Sequence, residues 1–298
     1  MELHQLEYFV AVAEEGGFTA GARRAGVVQS AASAAVGRLE DEFGLDLFTR
    51  AGRRVTLTDP GRVLLENARE VLAAARVARE ELEGRRRGLS GTVVVGTLLS
   101  TGSLDLAAAL RIFHERHPGV FVRLRHSPGH SEEHLAAVRE GVADLAVVLV
   151  PDRVPDGVRV DPVASIQQAL VAPPGHPLAG RTGVTLAELA PETFVDFPVG
   201  WGNRENVDAT FRAAGVTRTV AIEATDVVSM LELVAGGLGL AFVPAREIAR
   251  VRDDVAVVGL ADALPPAPLG IASTARHRLS PATEALRQAL LGRWPPAL

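Results

Sequence analysis

Residues 19–44 read TAGARRAGVVQSAASAAVGRLEDEFG. Ala32, Val36, Leu39 and Phe43 recur at spacings of four, three and four, which places them on one buried face of a helix. Gln29, Ser30 and Ser33 fall on the opposite face, short enough for close approach and able to donate and accept hydrogen bonds. A shorter helix precedes them across Gly26, so the stretch reads as two helices around a tight turn. A small polar helix face presented this way is what entry into a DNA major groove requires.

On the N-terminal side, Leu6, Phe9, Val10 and Ala13 have helical spacing and Gly16-Gly17 ends that helix. Thr19 is then expected to cap the next helix, with Phe18 packing inward as a staple. On the C-terminal side, Leu47 to Thr58 reads as two extended pieces about Ala51-Gly52, a hairpin carrying Arg50, Arg53 and Arg54 near its tip. A wing of this kind lies along phosphates or in a minor groove.

The chain has 298 residues, 47% hydrophobic and 22% charged, the profile of a globular protein of two or three domains. It has no cysteine, which excludes a disulfide framework and a cysteine zinc site. The net charge of -5 argues against uniform coating by nucleic acid. Up to Thr58, six arginines face eight acids, and the arginines bracket the polar helix. Lysine is absent, so phosphate contacts fall to arginine, hydroxyls, amides and backbone. No basic segment followed by an apolar run opens the chain and no apolar window of membrane-spanning length occurs, so a cytoplasmic location is expected.

Thr58-Asp59-Pro60 supplies a cap and a first-turn proline for a long helix. Within it Leu64, Ala68, Val71, Ala75, Ala78 and Leu82 form a heptad seam. The seam suits either a face laid on its own domain or a dimer interface; the position between two domains favours the dimer. Glu83 to Gly91 follows as a hinge. From Gly91 strands and helices alternate, beginning with Thr92-Val93-Val94-Val95-Gly96, which predicts parallel pairing with ligands at the strand C-termini.

The ordered series Phe9 to Thr19, Gln29-Ser30-Ala31-Ala32-Ser33, Arg38 to Gly44, Leu47-Phe48 and Thr56-Leu57-Thr58 resembles the LysR-type transcriptional regulators, as does the block Leu231 to Pro244. The similarity extends over essentially the whole chain. It implies an α/β fold overall, with an N-terminal winged helix-turn-helix, a long linker helix and a C-terminal two-lobed α/β effector domain resembling periplasmic binding proteins. The expected boundaries are 1–58, 59–90 and 91–298, with lobe I at about 91–163 and 268–298 and lobe II at about 164–267. The resemblance also implies a homodimer through the linker helix, tetramers that bend double-stranded promoter DNA, and modulation by a small-molecule effector. Thr19, Arg23, Gln29, Ser30, Ser33, Arg38, Arg50, Arg53, Arg54 and Thr56 are the expected DNA contacts, Gln29 as a bidentate reader of adenine.

Two departures thin this reading surface. Val28 stands where the family usually has Ser or Thr, and Ala34 where a basic residue is common, while Gly37 sits in mid-helix. In the effector domain the resemblance places a ligand, a small organic anion, in the cleft between lobes. Ser100 and Thr101 follow the first strand and suit either an anion site or simple helix capping. Ser127 and Gly129 follow the second strand, and Trp201, Asn203 and Thr225 follow strands of the other lobe; Trp201 reads equally as an aromatic wall or as packing under its own loop.

His130-Ser131-Glu132-Glu133-His134 matches the H-x-x-E-H metallopeptidase pattern. Ser131 would cap the helix, leaving the motif across its first turn, and Ser127-Pro128-Gly129 separates His126 from it, so a solvated helix start is the preferred reading and no metal is expected. No P-loop or G-x-S-x-G occurs, and Gly236-Gly237-Leu238-Gly239 precedes a strand rather than opening a helix. No cofactor and no catalytic residue are therefore expected. A solute-binding protein would account for the chain after Gly91 but not for the first 88 residues.

Overall fold

The computed structural model describes residues 1–51, 54–98, 104–126, 131–248, 254–261 and 264–292, without the side chains of 50, 51, 54 and 83–87. It divides into two units, Met1–Ser90 with Ala275–Pro281 and Gly91–Thr274 with Ala282–Leu298.

The first unit opens with α1 (Leu3–Glu15), α2 (Phe18–Arg24) and α3 (Gln29–Phe43). Gly16 ends α1 in the left-handed conformation at φ 64°, as the glycine pair predicted. Gly17, not Thr19, occupies the N-cap of α2. The expected Thr19 cap is thus corrected: Thr19 is already helical, and it is exposed. Leu6, Phe9, Val12, Ala22, Ala32, Val36 and Leu39 form the core. Phe43, expected to join them, is 44% exposed, because it is the last residue before Gly44 caps α3 and the helix has run beyond the core.

The wing is β1 (Phe48–Ala51) paired antiparallel with β2 (Arg54–Leu57), Phe48 opposite Leu57. Phe18 meets Phe48 edge-on at 5.6 Å. Glu40 fixes the wing to α3, its Oε1 accepting the N–H groups of Leu47 at 2.9 Å and Phe48 at 3.3 Å. The long helix α4 (Asp59–Arg87) begins on the expected cap, Thr58 Oγ1 accepting the N–H of Gly61 at 3.0 Å. At the near end of the seam, Leu64 and Ala68 pack into the core of their own unit. Val71 and Leu82 stay exposed.

The second unit has two lobes. In lobe I, β3 (Gly91–Thr97), β4 (Val120–His126) and β5 (Leu145–Leu149) join β6 (Val158–Ile166) and β12 (Ala267–Thr274) in the order β4-β3-β5-β12-β6. Pairing is parallel for β3 with β4 and β5, but antiparallel for β12 with β5 and β6, so the expected parallel sheet is mixed. β6 lacked a sequence signal because Pro162 interrupts it; the strand lies at the sheet edge, beside the register shift at Leu269/Gly270, where a missing N–H is tolerated. The helices of this lobe are α5 (Leu106–Arg116), α6 (Ser131–Arg139) and α10 (Pro281–Leu290). Leu135 and Val138 of α6 pack on Ala146, Val148 and Ala272.

Lobe II holds β7 (Gln168–Ala172), β8 (Thr193–Asp196), α7 (Gly202–Ala213), β9 (Thr219–Glu223), α8 (Val227–Ala235), β10 (Ala241–Pro244), α9 (Ala245–Ile248) and β11 (Ala256–Val258). The order β10-β7-β11 is joined to β8-β9 by a bridge between Phe194 and Leu240. Phe194, Phe211 and Phe242 form its aromatic centre, Phe194 and Phe242 stacked at 6.0 Å. The chain passes between lobes from β6 to β7 and from Leu264 to β12, and Ile166 pairs with Ala267 where the two crossings meet.

Candidate functional site

The candidate DNA-reading surface is the outer face of α3. Its N-cap is Val28, in extended conformation and offering no side-chain hydrogen bond, so the first N–H groups of α3 stay open at the surface. Gln29, Ser30, Ala34 and Arg38 are exposed, with Ser33 half-buried. Arg23 and Arg38 are exposed, and no ion pair involving either occurs among the described residues. Arg24 differs, since it pairs with Glu14 and Glu15. On the wing, Thr56 is exposed and its Oγ1 lies 3.3 Å from Thr49 Oγ1. The side chains of Arg50 and Arg54, and Arg53 altogether, lie outside the described residues.

The effector domain presents its lobes to one another at the first turn of α7. Gly202 there abuts the end of β5 so closely that a Cβ would stand 2.2 Å from Leu149 Cδ1. Trp201 is the N-cap of this helix. It is buried, stacked on Phe197 at 5.5 Å, so its indole is part of the lobe II core. Asn203 Oδ1 accepts a hydrogen bond at 3.2 Å from Nε2 of Gln168, the first residue of β7. Thr225 is exposed beside Asp226, whose Oδ1 caps α8 through the N–H of Ser229 at 2.8 Å. Ser100, Thr101, Ser127 and Gly129 lie outside the described residues. An ion pair joins the lobes: Arg246 of α9 stands 3.4 Å from Asp105, the N-cap of α5.

A buried ion cluster holds α7 in place. Arg204 donates to Asp208 Oδ2 at 2.7 Å and to the carbonyl of Phe197 at 2.9 Å. Arg218 lies 2.5 Å from Asp196 and 2.6 Å from Asp208. Sequence reasoning passed over Arg218, Asp196, Glu40 and Gln168. Arg218, Asp196 and Gln168 belong to no motif and act through partners distant in the chain; Glu40 lies within the Arg38 to Gly44 block, but its bonds to the N–H groups of Leu47 and Phe48 leave no mark in a helical repeat.

His134 of the H-x-x-E-H stretch is buried rather than solvated. Its Nε2 lies 3.2 Å from Thr97 O, and a Cβ on Gly96 would stand 2.5 Å from its Nδ1. Ser131, expected as a cap, instead accepts the N–H of Leu149 at 2.9 Å. His130 lies outside the described residues, and among those described no group of three metal-ligating side chains occurs. Burial pushes the His134 imidazole below its ordinary pKa, with Arg125 and His126 acting the same way; the Thr97 carbonyl and Glu133 oppose them. The folded state therefore binds this proton less readily than the unfolded chain, and stability falls as pH drops through about 6.5. Thermal unfolding at about pH 7.5 and 5.5 should show this contribution as the difference between the protein and its His134→Gln variant, the wild type faring worse on acidification. His134→Gln should flatten that dependence; an unchanged pH slope would assign it to other groups.

Comparison with known proteins matches the chain to two family models. Residues 3–62 match the bacterial regulatory helix-turn-helix protein, lysR family, and residues 86–295 match the LysR substrate binding domain. The chain is 32% identical to the HTH-type transcriptional regulator CfxR of Cupriavidus necator, over 98% of this chain and 91% of that one. In fold it is similar to a full-length OxyR variant from Pseudomonas aeruginosa (TM-score 0.76, 23% identity, 98% of both chains). It is also similar to full-length CbnR complexed with its target DNA (TM-score 0.64, 26% identity, 98% of this chain and 99% of that one). A lysR-family helix-turn-helix followed by a LysR substrate binding domain in one chain, with relatives named as transcriptional regulators, makes this protein a member of the LysR family of transcriptional regulators.

Proposed function

We propose that the protein binds promoter DNA sequence-specifically and that a small organic anion, held between lobes I and II, modulates that binding. The observation that carries the effector half is the open first turn of α7 set against Leu149 of the other lobe: a helix N-terminus favours an anion, and a ligand there touches both lobes. Ser100, Thr101, Ser127, Gly129, Asn203 and Thr225 are the proposed surrounding groups, with Trp201 supporting the turn from behind. A change in lobe angle on binding would reach the DNA-reading heads as a coupling between two sites.

For DNA, the proposed contacts are Gln29, Ser30 and Ser33 to bases, with Thr19, Arg23, Arg38 and Thr56 to phosphates and Arg50, Arg53 and Arg54 supplied by the wing. The exposed Val71 and Leu82 support dimerisation through α4, where residues 59–90 serve as linker and hinge between the DNA-binding domain, 1–58, and the effector domain, 91–298. Phe121 and Leu124 are exposed on the edge strand β4, which supports a second interface and hence a homotetramer. No described helix is long and apolar enough to cross a membrane, in keeping with a cytoplasmic regulator.

Footprinting of the purified protein across its genome, with gel shifts on its own upstream region, tests the DNA half. The expected result is sequence-selective protection at moderate salt. Gln29→Ala should weaken binding to the selected site by about 10- to 100-fold and leave non-specific binding and dimerisation intact. Protection without sequence preference would overturn the reading, and an unchanged site preference in the variant would remove Gln29 from it.

A further inference from the structure

Each carboxylate oxygen of Glu14 serves a different helix. Oε1 accepts two hydrogen bonds from Arg69 of α4, from Nε at 3.2 Å and from Nη2 at 2.8 Å. Oε2 pairs with Nη2 of Arg24, the last residue of α2. Glu14 itself lies in the last turn of α1, and α2 leads through the turn at Gly26 into α3. One carboxylate therefore ties the long helix to the two helices on which α3 is mounted. The Glu14 and Arg69 side chains are 16% and 18% exposed, so the contact is largely shielded from water, unlike an ion pair in open solvent.

The same helix also meets the head through Leu64, Leu65, Ala68 and Leu72. Apolar packing has no direction of its own, and the crossing angles it sets scatter by about 15–20°. A guanidinium holding one oxygen through two nitrogens is fixed in direction. Resting on the reading that α4 pairs two copies of this chain, we propose that Glu14 is a positioning residue: it sets the angle between the reading head and α4, and through that angle the half-site spacing that the dimer accepts. From Arg69 to the exposed Leu82 the helix runs for about 20 Å, so a tilt of about 10° at Arg69 displaces Leu82 by about 3.4 Å, the rise of one base pair. In a two-fold dimer both heads tilt, and the error enters the distance between the two reading helices twice.

The test is selection of bound sequences by the full-length protein from randomised duplex DNA, followed by binding assays on duplexes whose selected half-sites are moved apart or together one base pair at a time. The wild type should bind its preferred spacing at least about tenfold more tightly than spacings one base pair longer or shorter. Glu14→Gln, similar in size and without the charge, should cut that preference to about threefold or less and leave affinity for an isolated half-site within about twofold. Arg69→Gln should do the same, and it reads the contact from the other side where the first variant fails to fold. Glu15→Gln, which removes a second acidic partner of Arg24, should keep the wild-type spacing. A sharp spacing preference retained in both Glu14→Gln and Arg69→Gln overturns the role of Glu14. So does an equal loss on isolated half-sites, which would make the carboxylate a folding element of the head. A wild type that is dimeric but indifferent to spacing overturns this proposal alone, and one that binds DNA as a monomer overturns the dimer reading beneath it.

Discussion

Replacing Arg218 with alanine is expected to cost lobe II about 3–5 kcal/mol of unfolding free energy, the usual penalty for removing one partner of a buried ion pair. The Arg218 side chain is 4% exposed and that of Asp196 is 1% exposed. Arg218 also holds Asp208 through Nε at 3.0 Å and lies over the rings of Phe194 and Phe211 at 5.4 and 5.5 Å. Its loss therefore removes packing as well as charge. Burial already pushes the Asp196 carboxyl above its ordinary pKa, with Arg218 as the principal opposing influence, followed by the Phe197 N–H and Arg204.

Without Arg218 that upward shift grows, so the folded variant binds a proton that its unfolded chain releases. Relative to the wild type, its stability should then shift in favour of mild acid over neutral pH, because a raised carboxyl pKa favours folding below that pKa and loses the advantage as pH rises through it. Urea unfolding at about pH 7.5 and 5.5 reads both effects. A neutral-pH loss below about 1 kcal/mol would show that the cluster contributes little beyond a hydrophobic substitute.

Gly21→Ala should damage the DNA-reading head and leave the effector domain untouched. A Cβ at residue 21 would stand 2.6 Å from Val12 Cα and 2.7 Å from Val12 N. The obstacle is backbone of α1, so no side-chain rotation relieves it. To admit the methyl, α1 and α2 must separate, and both pack on α3 through the core that includes Phe9, Val12, Ala22 and Ala32. Overpacking of this kind costs about 1–3 kcal/mol or more, and the displacement moves the reading helix. Operator affinity should fall by more than about tenfold, with the thermal transition of the effector domain unchanged. Retained affinity would mean that α1 and α2 move apart without carrying α3 with them.

The sequence was most readable where a helical repeat coincided with a short-range core. Ala32, Val36 and Leu39 declared the inner face of α3, and the Gly16-Gly17 and Thr58 signals marked helix ends that the structure repeats. Phe43 and Thr19 escaped by one or two residues, the distance over which a cap, and not a repeat, decides. The seam of α4 was legible as apolar but not as to partner: Leu64 and Ala68 carry the same signature as Val71 and Leu82, yet the first two are used within their own unit. In lobe II the groups that position α7 are distant in sequence. Arg218 meets Asp196 across 22 residues, and Gln168 meets Asn203 across 35, so no local spacing announces them. His134 misled in the opposite sense, since a motif of two imidazoles conceals a side chain committed to the backbone of β3.

The two crossings between the lobes lie side by side, with Ile166 paired to Ala267. Next to this pair, Gln167 Nε2 donates to Leu264 O and Asn206 Nδ2 donates to Pro265 O, both at 3.2 Å. A two-stranded ribbon flexes readily across its face and resists shear within its plane, because in-plane sliding breaks the hydrogen bonds between its strands. The lobes are accordingly left with one soft coordinate, a door swinging on a strip. A ligand seated between the lobes as proposed would then have its chemical detail transmitted only as the value of a single angle.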